Sequence, residues 1–353
     1  MSAVKSSVMA LLLLSACGGN PFPGPLPPPP PPVPGNVSVS DLPGTTNPTA
    51  TGDISRSEAK DKGPGGSSVP GNGFAQGFSY DPAADTFTVD NLAFDGGNVY
   101  QRDPKVPTKG PAKVYSGSGT FPDTVTGTPI NQFSYRALYG VSNSGKASFA
   151  IVRTGAYQGY GFGGFIYGRT GGVTLPTTGQ ANYAGAYAGL RDFNGGGSVG
   201  SKLQYTTATM SMSIDFNDFN AASSSTSNGA GIKGTLSNRH VFNLAGVDVT
   251  NAVLAEINAD KNPDFPLGGG VLPTLVFDVG PGVLDNNGEA EGGIGNTILV
   301  SGAVTPLERG KYYAVIAGDA TAGTEEVAGV IVVEATYSNG TARETGGFIL
   351  YRK

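Results

Sequence analysis

Reactive side chains are scarce in this chain, which narrows the chemistry that it can do. The 353 residues include one cysteine, Cys17, and one histidine, His240. A structural zinc site takes four ligands, a disulfide takes two cysteines, and most nucleophilic triads take a histidine. His240 follows Arg239 near the end of a predicted strand, which favours a surface imidazole over a haem ligand or a general base. We therefore predict a protein that is not an enzyme, with no catalytic residue and no cofactor; haem stays open as a bound ligand.

Carboxylate-rich segments offer a second kind of chemistry. Residues 285–291 could supply oxygen ligands to calcium, and the pairs Glu289/Glu291 and Glu325/Glu326 could act as acid and base. The spacing in 285–291 is not that of an EF-hand loop, and its Asn-Gly pair is a hairpin signal. We expect these carboxylates to be solvated turn residues, with no metal site.

A glycine-rich segment of the chain carries five closely spaced aromatic residues. Its Gly-x-Gly-x-x-Gly pattern at 159–164 is not followed by a helix, so we exclude a nucleotide site. Exposed rings at this spacing could hold a flat ligand or a partner protein, and packing in a β-sheet core is the alternative. The candidate ligand-binding residues are Tyr157, Tyr160, Phe162, Phe165 and Tyr167.

The composition indicates which scaffold positions these residues. The net charge is −5 and Lys and Arg are scattered along the chain, so nucleic acid is excluded as a partner. Charged residues make up 14% of the chain, against about 25% in average proteins. This composition disfavours long helices stabilised by Glu/Lys pairs and favours an all-β fold.

The N-terminus has the order of a secretory signal. One lysine precedes the apolar run 8–14, which is too short for the roughly 20 residues that a membrane span requires. Leu-Ser-Ala-Cys at 14–17 resembles the lipobox of bacterial lipoproteins. The resemblance implies a signal peptide at 1–16, cleavage before Cys17 and acylation of Cys17, with palmitate among the acyl chains. Gly18 at the next position allows export to the outer membrane.

Two further segments follow the signal peptide. Residues 17–70 are rich in Pro, Gly, Ser and Thr, which predicts a disordered tether. Residues 71–170 hold short alternating segments, including 86–92, 133–140 and 147–154, and are expected to form a small β-rich domain. The strand Gly-Gly-Phe-Ile-Tyr-Gly-Arg that ends this domain returns as Gly-Gly-Phe-Ile-Leu-Tyr-Arg near the C-terminus, which supports a boundary near residue 170.

The last part of the chain, 171–353, reads as eight strands. Asn-Gly pairs at 287–288 and 339–340 are strong hairpin signals because a type I′ turn takes positive φ at both central residues. A short helix is predicted at 251–260. Eight antiparallel strands with mainly short loops favour an up-and-down β-barrel, since closure removes exposed edges. The predicted strands are 181–192, 203–216, 231–242, 274–279, 289–294, 312–317, 329–337 and 347–351.

The opening of this part carries a resemblance to a known family. The strand Leu-Pro-Thr-Thr-Gly-Gln-Ala-Asn-Tyr-Ala-Gly at 175–185 resembles the first barrel strand of the transferrin-binding protein B and factor H-binding protein group of surface lipoproteins. The strands at 211–216 and 328–335 and the closing Gly-Gly-Phe strand follow in the same order. Residues 71–170 match by position the handle domain that these proteins place before the barrel.

The resemblance implies a bacterial lipoprotein that is anchored in the outer membrane by lipid and exposed at the cell surface. Such a protein binds a host or environmental protein, or a small solute such as haem. A TonB-dependent transporter and an outer-membrane translocon are implied as further partners. With one barrel instead of two lobes, the chain is similar in size to one-lobe relatives such as the haem-binding hemophilins.

A structural role in the membrane is the alternative function. A small integral outer-membrane β-barrel needs alternate apolar residues that face lipid and aromatic girdles at both interfaces. The strand at 206–213, Thr-Thr-Ala-Thr-Met-Ser-Met-Ser, is too polar for a lipid-facing surface. We therefore favour a barrel outside the bilayer that is held by a lipid tether.

Overall fold

The computed structural model describes residues 38–59, 75–90, 92, 95, 97, 99–155, 163–216 and 230–353. The first half of these residues forms short strands after a 3₁₀ turn at Val39–Asp41. The strands are β1 Ile54–Ser57, β2 Phe78–Asp81, β3 Thr86–Val89, β4 Val99–Arg102, β5 Thr108–Lys109, β6 Ala112–Ser116, β7 Thr120–Pro122, β8 Pro129–Asn131, β9 Tyr135–Val141, β10 Ala147–Thr154 and β11 Gly163–Arg169.

The second half contains longer strands and a helix. The elements are β12 Val173–Thr174, β13 Gln180–Gly195, β14 Leu203–Asp215, β15 Ala230–Phe242, α1 Thr250–Lys261, β16 Leu275–Phe277, β17 Gly280–Leu284, β18 Glu289–Val300, β19 Ala303–Asp319, β20 Glu326–Tyr337 and β21 Gly340–Arg352. The predicted all-β fold class is confirmed.

The first half forms one antiparallel sheet, the handle sheet, with strand order β1-β11-β10-β9-β6-β4-β3-β2. Strand β5 pairs with β6 at its margin, and β7 and β8 form a separate hairpin in the connection between β6 and β9. One face of the handle sheet has an aromatic core of its own, in which Phe87 stacks on Tyr115 with ring centroids 5.6 Å apart. These strands form because apolar and polar side chains alternate along them, as in β3.

The second half closes into an eight-stranded antiparallel barrel. Strands β13, β14 and β15 are neighbours, and the short strands β16 and β17 occupy one position between β15 and β18. Strands β18 to β21 follow in order, and β21 pairs with β13. Large side chains fill the interior, where Tyr312 stacks on Phe277 at 4.0 Å between ring centroids. The predicted barrel is confirmed.

The other face of the handle sheet packs on the outside of the barrel. A continuous core joins Phe149, Phe165 and other handle residues to barrel residues such as Tyr313 and Ile349. The rings of Phe165 and Tyr313 stack with their centroids 5.9 Å apart. Gly347 permits the close approach, because a Cβ at this position would overlap the Phe149 ring.

Helix α1 lies at one end of the barrel. Its buried residues Val253, Leu254 and Ile257 recur at helical spacing and pack on barrel residues that include Val241. The helix ends at Lys261 and is capped by Asn262, which adopts the left-handed conformation with φ 46°. We call this the helix end of the barrel. Within the described part of the chain, no helix is both long enough and apolar enough to cross a membrane.

Residues 38–59 differ from the sequence-based expectation. Strand β1 pairs with β11 at the edge of the handle sheet, and Leu42 and Ile54 are buried in the core between sheet and barrel. The prediction of a disordered tether through residue 70 is therefore wrong for this segment. Its few apolar residues use a core supplied by distant strands, so local composition does not reveal the order. The other tether residues, including Cys17, lie outside the described residues.

Candidate functional site

A buried ion pair joins the handle sheet to the barrel. Arg56 on β1 donates from Nε and Nη2 to the two carboxylate oxygens of Glu289 on β18, both at 2.7 Å. Both side chains are at most 5% exposed. The hydrogen bond to Glu289 raises the pKa of Arg56 above its ordinary value. The expectation that Glu289 is a solvated turn residue is wrong, because its partner comes from a segment 233 positions away.

A second buried cluster lies between the handle sheet and the barrel. Arg153 on β10 donates from Nη2 to Glu58 Oε2 and to Thr345 Oγ1, both at 2.8 Å, and Arg343 on β21 also bonds Glu58. Asp192 on β13 completes the cluster and is 2% exposed. Neither of its carboxylate oxygens has a hydrogen-bond partner among the described residues. Burial raises the pKa of Asp192 to about 7, although Arg153 and Arg343 oppose the shift.

The second predicted acidic pair is also buried. Glu325 Oε1 accepts hydrogen bonds from Tyr183 Oη and Arg352 Nη1, each at 2.8 Å. Glu326 accepts hydrogen bonds from the Ser144 hydroxyl and backbone N–H in the β9–β10 turn. The prediction of solvated carboxylates therefore fails here too, for the same reason. Among the described residues, no cluster of three or more His, Cys, Asp or Glu side chains could hold a metal ion.

A buried charged network lies near the helix end of the barrel. Arg239 donates to both oxygens of Glu308 at 2.6 and 2.8 Å and to Glu344 at 3.1 Å. Although burial opposes ionisation, Arg239 lowers the pKa of Glu308 below its ordinary value. His240 is outside this network: its Nδ1 lies 3.1 Å from Asp248 Oδ2, and its side chain is 31% exposed. The Arg239 contacts join β15 to β19 and to β21.

The candidate aromatic residues divide into two groups. Phe165 and Tyr167 lie on β11 and are fully buried between the handle sheet and the barrel, which is the packing alternative that the sequence left open. Tyr157, Tyr160 and Phe162 lie outside the described residues, in the segment that follows β10 and precedes β11. Their role in ligand binding stays a prediction.

A surface that the sequence analysis missed lies at the β7–β8 hairpin. Val125 at its tip is 89% exposed, Ile130 on β8 is 44% exposed, and Val99 at the start of β4 is 42% exposed. The hairpin packs on the segment that precedes β4, since a Cβ at Gly97 would lie 2.6 Å from the Phe121 ring. We call Val99 and residues 117–134 the hairpin surface. Its sequence signal is a run of Thr, Pro, Val and Ile with almost no charge.

The hairpin surface carries one charged residue, Asp123, within 117–134. Its carboxylate accepts hydrogen bonds from the backbone N–H groups of Val125 and Thr126 at 2.9 and 2.7 Å. These bonds fix the turn and lower the pKa of Asp123. The Asp123 carboxylate is thus hydrogen-bonded within the turn, and Val125 and Ile130 are exposed. Few charges around exposed apolar side chains are typical of the centre of a protein–protein interface.

Comparisons with known proteins give matches to solved structures alone. No family model and no curated protein matches the chain. A transferrin binding protein B double mutant from Haemophilus parasuis Hp5 matches with 11% identity and a TM-score of 0.34, over 85% of this chain and 51% of that structure. Intact Ap-TbpB, with N and C lobes, matches with 14% identity and a TM-score of 0.33, over 85% of this chain and 52% of that structure.

A third match is a structure described as a surface lipoprotein, with 12% identity and a TM-score of 0.27, over 61% of this chain and 80% of that structure. The chain spans about half the length of the transferrin binding protein B structures that it matches. The strand pairing of this chain itself confirms the arrangement that the sequence resemblance predicted, a β-sheet handle followed by an eight-stranded barrel. The functional proposals below rest on the chain's own contacts.

Proposed function

We propose that the chain is a lipid-anchored surface protein of the bacterial outer membrane that binds a partner protein through the hairpin surface. The observation that carries the proposal is the exposure of Val125 and Ile130 on a hairpin whose one charge, Asp123, is engaged in its own turn. Exposed apolar side chains in a segment with few charges are features of a surface that contacts another protein. The partner class is a host or environmental protein.

The attachment of the handle sheet supports this proposal. The Arg56–Glu289 and Glu58–Arg343 pairs hold the sheet against the barrel through buried, charge-assisted hydrogen bonds. A surface that is already fixed in one orientation loses less entropy on binding than a mobile one. The hairpin surface is therefore presented on a scaffold that is organised before the partner arrives.

An integral outer-membrane barrel is not favoured by the packing. The outward side chains of Val330, Val332 and Ile349 on β20 and β21 pack against the handle sheet. In a membrane barrel these positions would face lipid. The covered side of the barrel therefore supports a barrel that stands outside the bilayer, with membrane attachment through Cys17.

Capture of a partner tests the protein-binding proposal. Full-length protein is immobilised and exposed to serum, and captured proteins are identified and quantified. We expect Val125→Asp with Ile130→Asp to lower capture of the specific protein by about tenfold or more, because charge would be buried in the contact. Val304→Asp on β19, a valine with 72% exposure outside the hairpin, is the matched control. Equal capture by the hairpin and control variants, or capture of no protein, would contradict the proposal.

Metabolic labelling tests the anchor. Cells that express the chain are fed an alkyne-tagged palmitate, and labelled protein is detected after purification. We expect label on the wild-type chain and none on Cys17→Ser, because Cys17 is the sole thiol. Label of equal strength on both would place the acyl chain elsewhere. A transporter that receives cargo and a translocon that displays the protein remain proposals, to be tested by crosslinking in those cells.

A further inference from the structure

A cavity of about 310 Å³ lies at the helix end of the barrel. It is bounded by α1, by the end of β13 and by the turn between β20 and β21. Its walls include the aromatic residues Phe193 and Tyr337 and the aliphatic residues Val253 and Ile257. This volume is at the lower end of the range for small-molecule sites, about 300 to 1,000 Å³, and a mainly apolar lining with a few polar groups is typical of them.

The walls of the cavity are held by hydrogen bonds before any ligand arrives. Glu256 on α1 accepts hydrogen bonds from the Ser198 hydroxyl and, at 2.6 Å, from the Val199 backbone N–H. Asp260, one turn later, accepts a hydrogen bond from the Ser338 backbone N–H at 2.8 Å. These two carboxylates tie the helix to the β13–β14 loop and to the β20–β21 turn. The cavity is therefore preformed, which lowers the entropy cost of binding.

One buried cationic side chain lines the cavity. Arg191 has a side chain that is 3% exposed, and its Nη1 donates to Gln204 Oε1 at 2.9 Å. Its Nε lies 3.8 Å from Glu344 Oε2. A guanidinium carries five N–H donors, and Arg191 is one of the residues that line the cavity, so it can donate a hydrogen bond to a ligand there. The guanidinium carbon lies 5.5 Å from the centre of the Phe193 ring, beside the apolar wall.

The surrounding charges decide what kind of acceptor suits Arg191. Its positive charge and that of Arg239 are matched by the buried carboxylates of Glu308 and Glu344. Two more carboxylates, Glu256 and Asp260 on α1, also line the cavity. Lys261 lies 2.9 Å from Asp260 and 5.3 Å from the centre of the Tyr337 ring, so it balances one of these two carboxylates and the charge beside the cavity stays negative. This charge disfavours an anionic ligand, whereas a neutral oxygen could accept a hydrogen bond from Arg191.

We propose that this cavity binds an uncharged, largely apolar small molecule that presents a carbonyl or hydroxyl oxygen to Arg191 and a flat body to Phe193 and Tyr337. The site is separate from the hairpin surface, because none of its lining residues belongs to the handle sheet. It also offers no imidazole to haem iron, because His240 is not among the lining residues. The chain therefore has a solute site in addition to the proposed surface for a partner protein.

Fluorescence binding tests the cavity with a probe of the proposed chemistry. The probe is 6-propionyl-2-(dimethylamino)naphthalene, a neutral planar ketone whose emission shifts to the blue in apolar surroundings. We expect saturable binding to the purified full-length protein with one site per chain. The analogue with a propyl group in place of the propionyl group should bind about tenfold more weakly, since it lacks the oxygen that accepts from Arg191. The anionic probe 1-anilinonaphthalene-8-sulfonate should bind more weakly than the ketone.

Two alanines on α1 give a matched pair of variants. Ala259 lines the cavity, whereas Ala255, one turn earlier and also exposed, does not. We expect Ala259→Phe to lower the affinity for the ketone at least tenfold and Ala255→Phe to leave it unchanged, with equal thermal unfolding of both. Equal effects of the two variants, equal affinity for the ketone and its propyl analogue, or binding that does not saturate would overturn the proposal. Loss of partner capture by the hairpin variants would leave this result unaffected.

Discussion

The buried carboxyl of Asp192 makes the stability of the protein depend on pH in an unusual direction. Its pKa is about 7 in the folded protein, mainly because burial disfavours the charged form, and near 4 in an unfolded chain. Between pH 4 and pH 7 the folded protein keeps a proton that the unfolded chain has lost. The unfolded state therefore becomes more stable relative to the folded state as the pH rises from 4 to 7, and the free energy of unfolding falls.

The size of this stability loss follows from the difference between the two pKa values of Asp192. About three pH units at roughly 1.4 kcal/mol per unit give about 4 kcal/mol lost from this one group between pH 4 and pH 8. Asp192→Asn cannot ionise and keeps the same shape. We expect the free energy of unfolding of the variant to rise relative to the wild type over this range, by about 4 kcal/mol, and the difference to level off above pH 7.

Urea denaturation followed by circular dichroism, at half-unit steps from pH 4 to pH 8, measures this difference. Asp123→Asn is the control, because backbone hydrogen bonds lower the pKa of Asp123 from its ordinary value near 4, so Asp123 is ionised in both the folded and the unfolded state over most of this range and the difference from the wild type should stay nearly constant above pH 5. The reasoning is refuted if Asp192→Asn instead loses stability relative to the wild type as the pH rises. Asp192 would then be an ordinary ionised partner of Arg153 and Arg343.

Two further predictions concern the contacts between handle sheet and barrel. Arg56→Met should lower the free energy of unfolding by about 3–5 kcal/mol, because it leaves the Glu289 carboxylate buried and unpaired. Adding Glu289→Gln should restore part of this loss. Urea denaturation measures both variants, and a loss from Arg56→Met of less than about 1 kcal/mol would contradict a buried pair. Gly347→Ala should lower the free energy of unfolding by about 1–3 kcal/mol, because its Cβ would overlap the Phe149 ring. Gly119→Ala, which has open space around it, should change the free energy of unfolding by no more than about 0.5 kcal/mol. Equal effects of the two variants on thermal unfolding would contradict the close packing at Gly347.

Strand positions were predictable where one face of a strand is continuously apolar. Strand β10 spans Ala147–Thr154, the range that its alternation predicts, and α1 exceeds the predicted helix 251–260 by one residue at each end. Strand β19 begins at Ala303, whereas the sequence predicts a start at residue 312. The added part includes Glu308, a buried carboxylate whose partner Arg239 lies on another strand. Hydrophobic periodicity cannot detect a strand whose inward residue is an ion-paired carboxylate.

The same physical reason accounts for the sites that the sequence analysis missed. The sequence around a carboxylate in a glycine-rich segment predicts that it is exposed to solvent. Its burial depends on an arginine on a distant strand, which the local sequence does not identify. The cavity beside Arg191 likewise depends on three connections that are far apart in sequence. The aromatic segment was apparent from local sequence alone, yet Phe165 and Tyr167 are buried in the sheet.

Several of the few charged residues in this chain lie between the handle sheet and the barrel. Glu58, Arg153, Glu289 and Arg343 are all buried where the handle sheet meets the barrel, although charged residues make up 14% of the chain. Buried pairs often add little net stability compared with apolar residues, but a wrong arrangement would leave charges unpaired at high cost. These pairs therefore select one placement of the handle sheet on the barrel, as presentation of the hairpin surface in a fixed orientation requires.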